Sequence, residues 1–430
     1  MRILFIHQNF PGQFKHLAPA LVQQGHQVVA LTMKHIKPCL WQGVQIVPYA
    51  AKRASASAIH PWVADFETKV IRGEACLHAA QQLNSSGFVP DIIVAHPGWG
   101  ESLFVKDIWP NAQLGIYCEF FYQASGTDVG FDREFAADHP HDAARVRLKN
   151  INTLLHFEQA QAGLSPTHWQ ASTFPPRFGS KISVVHDGID TDVVKPNPSV
   201  HMTLSTHGGE RIQLTRADEV VTFVNRNLEP YRGYHTFMRA LPEVLAQHPR
   251  ARVLVVGGSS TSYGAHPDES RHGNKSWKDI FADQARSQMP DEDWARVHFL
   301  GQLPYSIFIL LLQLSSVHVY LTYPFVLSWS LLEAMSAGCA IVASNTGPVL
   351  EAITHAQTGR LVDFFDAPAL AQEVCRLLAN PDERQLLGQQ SREFACTHYD
   401  LKTVCLPGQL SWVKSLASNA RPYYADSSHF

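Results

Sequence analysis

The segment Ser330 to Glu351 reads SLLEAMSAGCAIVASNTGPVLE. It sets a Glu at a helix start, then a small-residue turn, a buried strand and a second acidic helix start. In an open parallel α/β sheet, ligands sit outside the carboxyl ends of the strands, where helix N-termini present free backbone N–H groups to an anion. A diphosphate is an anion of that kind. Ser330-Leu-Leu-Glu333 also spells a capping box, in which the Glu reaches back to the cap N–H, so spacing alone gives Glu333 a ligand-binding and a structural role. Near the start of the chain, Phe10-Pro11-Gly12-Gln13 lies between a first strand and its helix. Gly12 would let the backbone approach a ligand, and the helix N-terminus favours an anion; Pro and Gly equally well punctuate a loop. His96 closes the strand Asp91-Ile-Ile-Val-Ala95, and Glu119 follows LGIYC. Both positions are where a doubly wound sheet opens its cleft.

These residues need a scaffold, and the pattern of the chain supplies one. Short β-branched runs alternate with helical patterns: ILFIH, a helix from about Gln13 to Gln24, QVVALT, VQIVPY, and a long amphipathic stretch from Val63 to Leu83. The DIIVA strand, a helix from about Glu101, LGIYC, a helical stretch from Ala143 to Ala162 and KISVVH continue the series. Such alternation predicts a parallel sheet. A polar, Pro-containing stretch then runs to Asp218 and reads as a linker. The strand at Val220 opens a second α/β series with a helix from Tyr234 to Gln247, ARVLVVGG, VHFLG and SVHVYLT. The segment Ser259 to Lys275 reads as a long surface loop at a strand end, the usual place for a functional insertion. At 430 residues the chain suits two domains. We place them at 1–195 and 219–398, with a linker at 196–218 and a tail at 399–430 that crosses back to the first domain.

Composition excludes several classes. A net charge of −3 gives no general attraction to nucleic acid. The longest apolar run, Ile307 to Leu312, is far below the roughly 20 residues that cross a bilayer, and the apolar run Ile3 to Ile6 is too short for a signal-peptide core. The seven cysteines form no Cys-x-x-Cys pair and read as buried free thiols in a reducing cytoplasm. None of the 23 histidines falls in a metal-ligand spacing, and Asp138-His139-Pro140-His141-Asp142 reads as a solvated loop. No metal and no cofactor are therefore expected, and the lack of Gly-x-Gly-x-x-Gly argues against a nicotinamide site.

Glu333-Ala-Met-Ser-Ala-Gly338 followed by Ala-Ile-Val-Ala-Ser resembles the donor-binding signature of retaining GT-B glycosyltransferases of family 4, the group 1 type. The likeness is strongest between Val220 and Asp382. It implies a GT-B fold of two Rossmann-like domains with parallel sheets facing a central cleft, with donor on the C-terminal and acceptor on the N-terminal side. Glu333 then binds the ribose of the donor nucleotide. Arg226 and Arg232-Gly233 match the family's Arg-x5-Lys-Gly element, which clamps the diphosphate together with Gly12 and Ser328; Arg in place of Lys keeps the charge and adds a bidentate fork. Gly258 and Gly347 fall in donor-side loops. Relatives often carry a His that touches the transferred sugar near the strand end where this chain has Glu119. That catalytic role falls here to His96, to Glu119 or to neither. Two departures stand out. Phe325 occupies the position eight before Glu333 where relatives have a Glu that contacts the donor sugar, and Val326-Leu327-Ser328 replaces Gly-Phe-Gly.

The resemblance implies metal-independent, anomer-retaining transfer of a hexosyl unit from a nucleotide sugar carrying UDP or GDP. The acceptor would be a glycan, a lipid-linked saccharide or a protein-bound glycan, in bacterial surface polysaccharide biosynthesis. It places the protein in the cytoplasm, with possible peripheral association at the inner-membrane face through Arg145, Arg147 and Lys149. The alternatives are a non-catalytic nucleotide-sugar-binding subunit of a glycosylation complex, motivated by Phe325, or another GT-B activity such as an epimerase or phosphorylase.

Overall fold

The computed structural model describes residues 1–136, 141–205 and 209–418. The chain divides into two α/β units. The first comprises Met1–Val129, Asp138–Gly188 and Leu401–Phe430; the second comprises Gly130–Ala137 and Ile189–Asp400.

The first unit is built on an eight-stranded sheet of β1 (Arg2–Ile6), β2 (Gln27–Thr32), β3 (Cys39–Trp41), β4 (Val44–Pro48), β5 (Ile92–Ala95), β6 (Gln113–Tyr117), β7 (Ala162–Ser165) and β8 (Ile182–Val184), in the order β3-β4-β2-β1-β5-β6-β7-β8. Only the β3–β4 pair is antiparallel. Ile3, Leu4, Phe5 and Ile6 are wholly buried, as a parallel strand covered on both faces requires. Their side chains alternate between two clusters, Leu4 and Ile6 in one, Ile3 and Phe5 in the other. From β1 the chain builds outward through β2 and β4. The 25-residue helix Pro61–Ser85 then carries it back, so that β5 adds to the other edge of β1. That reversal makes the carboxyl ends of β1 and β5 the switch point where such sheets bind ligands. The helix Leu406–Ala417 packs on β6, where a Cβ at Gly115 would overlap the Trp412 ring.

The second unit holds a parallel sheet of β11 (Val220–Asn227), β12 (Arg252–Gly258), β13 (Val297–Gly301), β14 (Val317–Tyr320), β15 (Ala340–Ser344) and β16 (Arg360–Val362), in the order β13-β12-β11-β14-β15-β16. A two-stranded antiparallel sheet of β9 (His201–Ser205) and β10 (Arg211–Thr215) precedes it. The switch point lies between β11 and β14. Gly130–Ala137 adds to this unit by its aromatics: Phe131 lies against Tyr323, Phe364 and Phe365, and Phe135 against His235, Trp277 and Phe281.

Several expectations are corrected. The stretch 196–218 is not a linker: β9 and β10 bury Leu204 and Leu214 in the core of the second unit, and the change of unit comes after Gly188. Each strand is five residues long with polar alternation, too brief to stand out from a loop. Residues 206–208 of that stretch, 138–140 of the His-rich loop and 419–430 of the tail lie outside the described residues. The helix expected from Gln13 is a single 3-10 turn, Gly12–Phe14, followed by Leu17–Gln23. The helix expected from Glu101 is only Val105–Ile108. The 143–162 stretch is two helices, Asp142–Lys149 and Ile151–Gln159, and then β7.

Candidate functional site

At the switch point of the second unit, the loop after β11 carries Glu229 and Arg232. Glu229 is 1% exposed and accepts backbone N–H bonds from Ser262 (2.7 Å) and Tyr263 (3.1 Å). Asn227 Nδ2 donates to Ser262 Oγ at 2.6 Å. The long loop after β12 is thereby tied to the loop after β11. Burial pushes the Glu229 carboxyl up, against the pull of those N–H groups and of Arg232 and Arg226. Arg232, 8% exposed, reaches across the switch point: its Nη1 donates to Thr322 Oγ1 (2.8 Å) and to the Val326 carbonyl (3.3 Å), both in the loop after β14. Gly233 follows at φ +69°, where a side chain would overlap Leu321; this is a turn only glycine makes without strain. Arg226, on the irregular end of β11, is exposed.

The loop after β14 ends at Ser328, which caps the helix Trp329–Ser336. Its backbone N–H donates to the Tyr320 hydroxyl (3.0 Å), and its Oγ accepts from Ser330 N–H (3.3 Å). The capping box read from Ser330 and Glu333 is therefore overturned. Ser330 is already inside the helix, and Glu333 lies too deep to reach the cap. Glu333 is buried to 6% exposure and instead accepts the Tyr305 hydroxyl at 2.7 Å, while burial and the Glu333 charge push the Tyr305 phenol well above its usual range. Gly258 ends β12 against Asn227, and Gly347 opens the short helix Gly347–Leu350 after β15. Arg226, Arg232, Gly258, Ser328, Glu333 and Gly347 thus all sit at or after the carboxyl ends of this sheet.

Phe325 is 4% exposed within an aromatic cluster. Its ring centroid lies 5.3 Å from those of Tyr231 and Tyr263, Tyr231 stacks on Tyr263 (5.2 Å) and on Tyr323 (4.5 Å), and the Arg232 guanidinium lies 5.3 Å from the Tyr263 ring. At the position where the family resemblance implies a carboxylate, this chain has a packing residue that holds three loops together.

In the first unit the structure brings His96 and Glu119 together, with His96 Nε2 3.6 Å from Glu119 Oε2. It adds His7 and Gln13, which sequence reasoning missed. His7 Nδ1 accepts the Asn9 N–H (2.9 Å), which leaves Nε2 to donate to Gln13 Oε1 (2.7 Å); Gln13 Nε2 donates to Glu119 Oε1 at 3.4 Å. His96 Nδ1 accepts the Gly98 N–H (3.2 Å), and the His96 ring stacks on Tyr117 and lies 4.5 Å from Trp99. Burial, with His96 nearby, lowers the pKa of His7 to about 3, so it is neutral at physiological pH. Gly12 lies beside this set: at φ +47° it sits over the His7 ring, which a Cβ would overlap. The signal for His7 was present, since it closes ILFIH as His96 follows DIIVA.

Distant residues also meet where no spacing rule could find them. Asp132, Glu134 and His235 offer ligand atoms within 4.8 Å of one another. Those atoms are engaged: Asp132 accepts the Tyr323 hydroxyl (2.8 Å) and faces His235 Nε2 (3.3 Å), and Glu134 takes both Arg239 amino groups (2.8 and 2.6 Å).

Two parallel-sheet units, each with polar residues at its switch point, define the class by architecture: this is a GT-B fold. Residues 24–194 match the family described as "Glycosyl transferase family 4 group" and residues 210–394 match "Glycosyl transferases group 1". The chain belongs to this family, glycosyltransferase family 4 of the group 1 type. It is 25% identical over 297 residues to a GDP-mannose-dependent alpha-(1-6)-phosphatidylinositol monomannoside mannosyltransferase of Mycolicibacterium smegmatis, covering 64% of this chain and 68% of that one. It is 24% identical over 219 residues to a D-inositol 3-phosphate glycosyltransferase of Corynebacterium glutamicum, covering 50% and 48%. Among solved structures, the sucrose-phosphate synthase of Thermosynechococcus elongatus superposes with TM-score 0.71 at 18% identity, covering 97% of this chain and all of that one. HepE of Anabaena, solved with UDP and glucose, gives TM-score 0.63 at 15% identity, covering 96% and 99%.

Proposed function

We propose that the protein transfers a hexosyl unit, with retention at the anomeric carbon and without a metal ion, from a nucleoside-diphosphate sugar bound by the second unit. The observation that carries this reading is Arg232: a buried guanidinium that joins the two loops of the switch point, with no carboxylate bonded to it among the described residues. In this reading Arg232 and Arg226 neutralise the diphosphate, the positive end of the helix that Ser328 caps favours it, and Glu333 takes the ribose hydroxyls. Donor-side contacts also come from Gly258 and Gly347. As the bond from the anomeric carbon to the phosphate oxygen breaks, the acceptor oxygen bonds to the same face and its proton passes to the departing phosphate oxygen. Preorganised positive charge then lowers the barrier without a protein base. His96 and Glu119 in the first unit take the catalytic role beside the transferred sugar, and the acceptor is a saccharide that is free, lipid-linked or protein-bound.

GDP is the first nucleotide to test, because the mannosyltransferase relatives use GDP-mannose; UDP is second, because structures of this fold hold it. We place the activity in bacterial surface-glycan assembly at the cytoplasmic face of the membrane. No helix among the described residues is long and apolar enough to cross one. The test is calorimetric titration of GDP, UDP, ADP and dTDP in chelator, on wild type and Arg232→Ala. One tight ligand that the substitution removes supports the clamp, and transfer from the matching sugar nucleotide then follows. Binding that survives the substitution unchanged overturns it. A second reading rests on Phe325: a nucleotide-sugar-binding subunit that binds the same ligand, turns over no donor, and needs a catalytic partner.

A further inference from the structure

The opposite edge of the second unit's sheet, where β14 and β15 begin, holds a cavity of about 430 Å³. One wall is a single face of the helix Pro381–Tyr399, which presents Arg384, Gly388 and Arg392. The facing wall is Arg216 in the turn after β10, with Ser316 and Gly338. Gly388 lets the helix press on the Gly338 carbonyl, which a Cβ would overlap, and this close approach forms the floor.

Three guanidiniums line this space and no Asp or Glu does. Their bonded partners among the described residues are all backbone carbonyls. Arg216 Nη1 donates to Gln313 O (2.8 Å), and Arg384 Nη1 to Leu377 O (2.7 Å) and Leu378 O. Arg392 Nη1 donates to Val194 O (3.2 Å) and Ser336 O, and its Nη2 to Thr191 O (3.3 Å). Gln313, Ser336 and Leu377 lie in the last turns of the helices Tyr305–Leu314, Trp329–Ser336 and Ala367–Ala379. Each helix C-terminus carries about half a negative charge, so three of them offset roughly 1.5 of the three positive charges. Capping therefore accounts for the position of the arginines and, with Glu219 acting on Arg384 as well, leaves a lining that is net positive. Burial lowers the pKa of Arg384, and repulsion from Arg216 adds to this against the pull of Glu219; an anion between the two arginines would relieve that repulsion.

We propose that this cavity binds a phosphoryl group, as a second anion site on the face of the sheet opposite the strand-end site. Guanidinium forks match phosphate oxygens in pairs, and the volume admits a phosphate monoester of sugar size. The site needs no nucleotide and is independent of the donor clamp.

The probes are inorganic pyrophosphate and phosphatidylglycerol vesicles, which separate a soluble phosphate from a lipid headgroup. Calorimetry on full-length Arg232→Ala, which silences the strand-end clamp, should show one pyrophosphate per chain, weakened about 10-fold or more in Arg216→Gln, as expected for one charge-assisted contact. Arg216 is exposed and makes a single backbone bond, so that variant keeps its fold. On wild type, phenylglyoxal modification mapped by mass spectrometry should slow at Arg216 and Arg384 several-fold with pyrophosphate. Slowing by vesicles alone would assign the phosphoryl group to a lipid and still support the site. Unchanged modification with both probes, together with no heat in the Arg232→Ala background, overturns the proposal.

Discussion

In the first unit, the carboxyl ends of β1, β5 and β6 hold His7, Gln13, His96, Trp99 and Glu119. In the second, the ends of β11, β12 and β14 hold Arg232, Glu229, Ser328 and a cluster of four aromatics. The sheets place both sets by the same topological rule, a strand flanked by neighbours that lead away in opposite directions. The residues differ in what pH does to them. Arg232 is a fixed charge at every physiological pH. His7 is held neutral by burial, in one tautomer set by Asn9 and Gln13. One topology thus presents a buried guanidinium in one unit and an oriented, neutral imidazole in the other.

The largest effect that would break this contrast lies at Arg232. Removing a buried charged partner costs about 3 to 4 kcal/mol, so Arg232→Ala should weaken nucleoside diphosphate binding on the order of 10²- to 10³-fold. His96→Ala should leave that affinity within about twofold, by calorimetry, and lower kcat instead. If His96→Ala loses nucleotide affinity as Arg232→Ala does, the division of labour between the units is wrong.

A second effect concerns a carboxyl near the first unit's set. Glu101 is fully buried and among the described residues has no hydrogen-bond partner outside its own backbone; burial raises its pKa to about 7, although Arg72, His96 and Lys69 pull the other way. An acid whose folded pKa exceeds its unfolded value holds more protons when folded, so stability falls as pH rises from about 4.5 to 7 and stays low above that. At about 1.4 kcal/mol per pKa unit the rise from 4.5 to about 7 costs about 3.5 kcal/mol. Glu101→Gln should raise stability by about 2 to 3 kcal/mol at pH 8 and by nothing at pH 4, read from urea unfolding at each pH. An equal gain at both values would show that packing, not ionisation, is responsible.

The contrast between the units also explains what the chain revealed before its structure. In the second unit β11 and β12 are long and apolar, so the fold of this unit was legible. Three things were not. β7 is Ala-Gly-Leu-Ser, too short and small to carry a periodic signal. The hairpin of β9 and β10 hides its buried Leu204 and Leu214 among polar neighbours. The insertion of Gly130–Ala137 into the second unit, with Asp132 meeting His235 and Tyr323, depends on contacts across roughly 100 and 190 positions that no local pattern encodes. The role of Phe325 as the edge of a stack with Tyr231 and Tyr263 needed the loops in place.

Gly12 tests the first unit on its own terms. A side chain there meets the His7 ring in a left-handed backbone conformation. Gly12→Ala should therefore displace the imidazole and cost about 1 to 2 kcal/mol of stability. kcat should fall about 10-fold while nucleotide affinity holds. Restoring space with His7→Ala in the same chain should recover only the part of the stability lost to the ring overlap, since the left-handed backbone stays strained, and leave kcat low, because the hydrogen bond to Gln13 is then absent. Recovery of kcat as well would mean that His7 only fills space.

The smallest effect sharpens the contrast within one loop. Arg226 and Arg232 are six residues apart and carry the same charge, yet Arg226 is exposed at the irregular end of β11 while Arg232 is buried and bonded to Thr322 and Val326. An exposed cation acts through water and salt, so its interaction with a diphosphate should be worth less than about 1 kcal/mol. Arg226→Ala should weaken nucleotide binding about threefold at low ionic strength and hardly at all in 1 M NaCl, where screening reaches within about 3 Å. The loss in Arg232→Ala should persist in high salt, because its contacts are direct and shielded from solvent. Titrations of both variants at 0.05 M and 1 M NaCl check this. If the two losses are equal and equally salt-sensitive, Arg232 contributes only long-range charge, and the bonds that fix it across the switch point have no part in holding the donor.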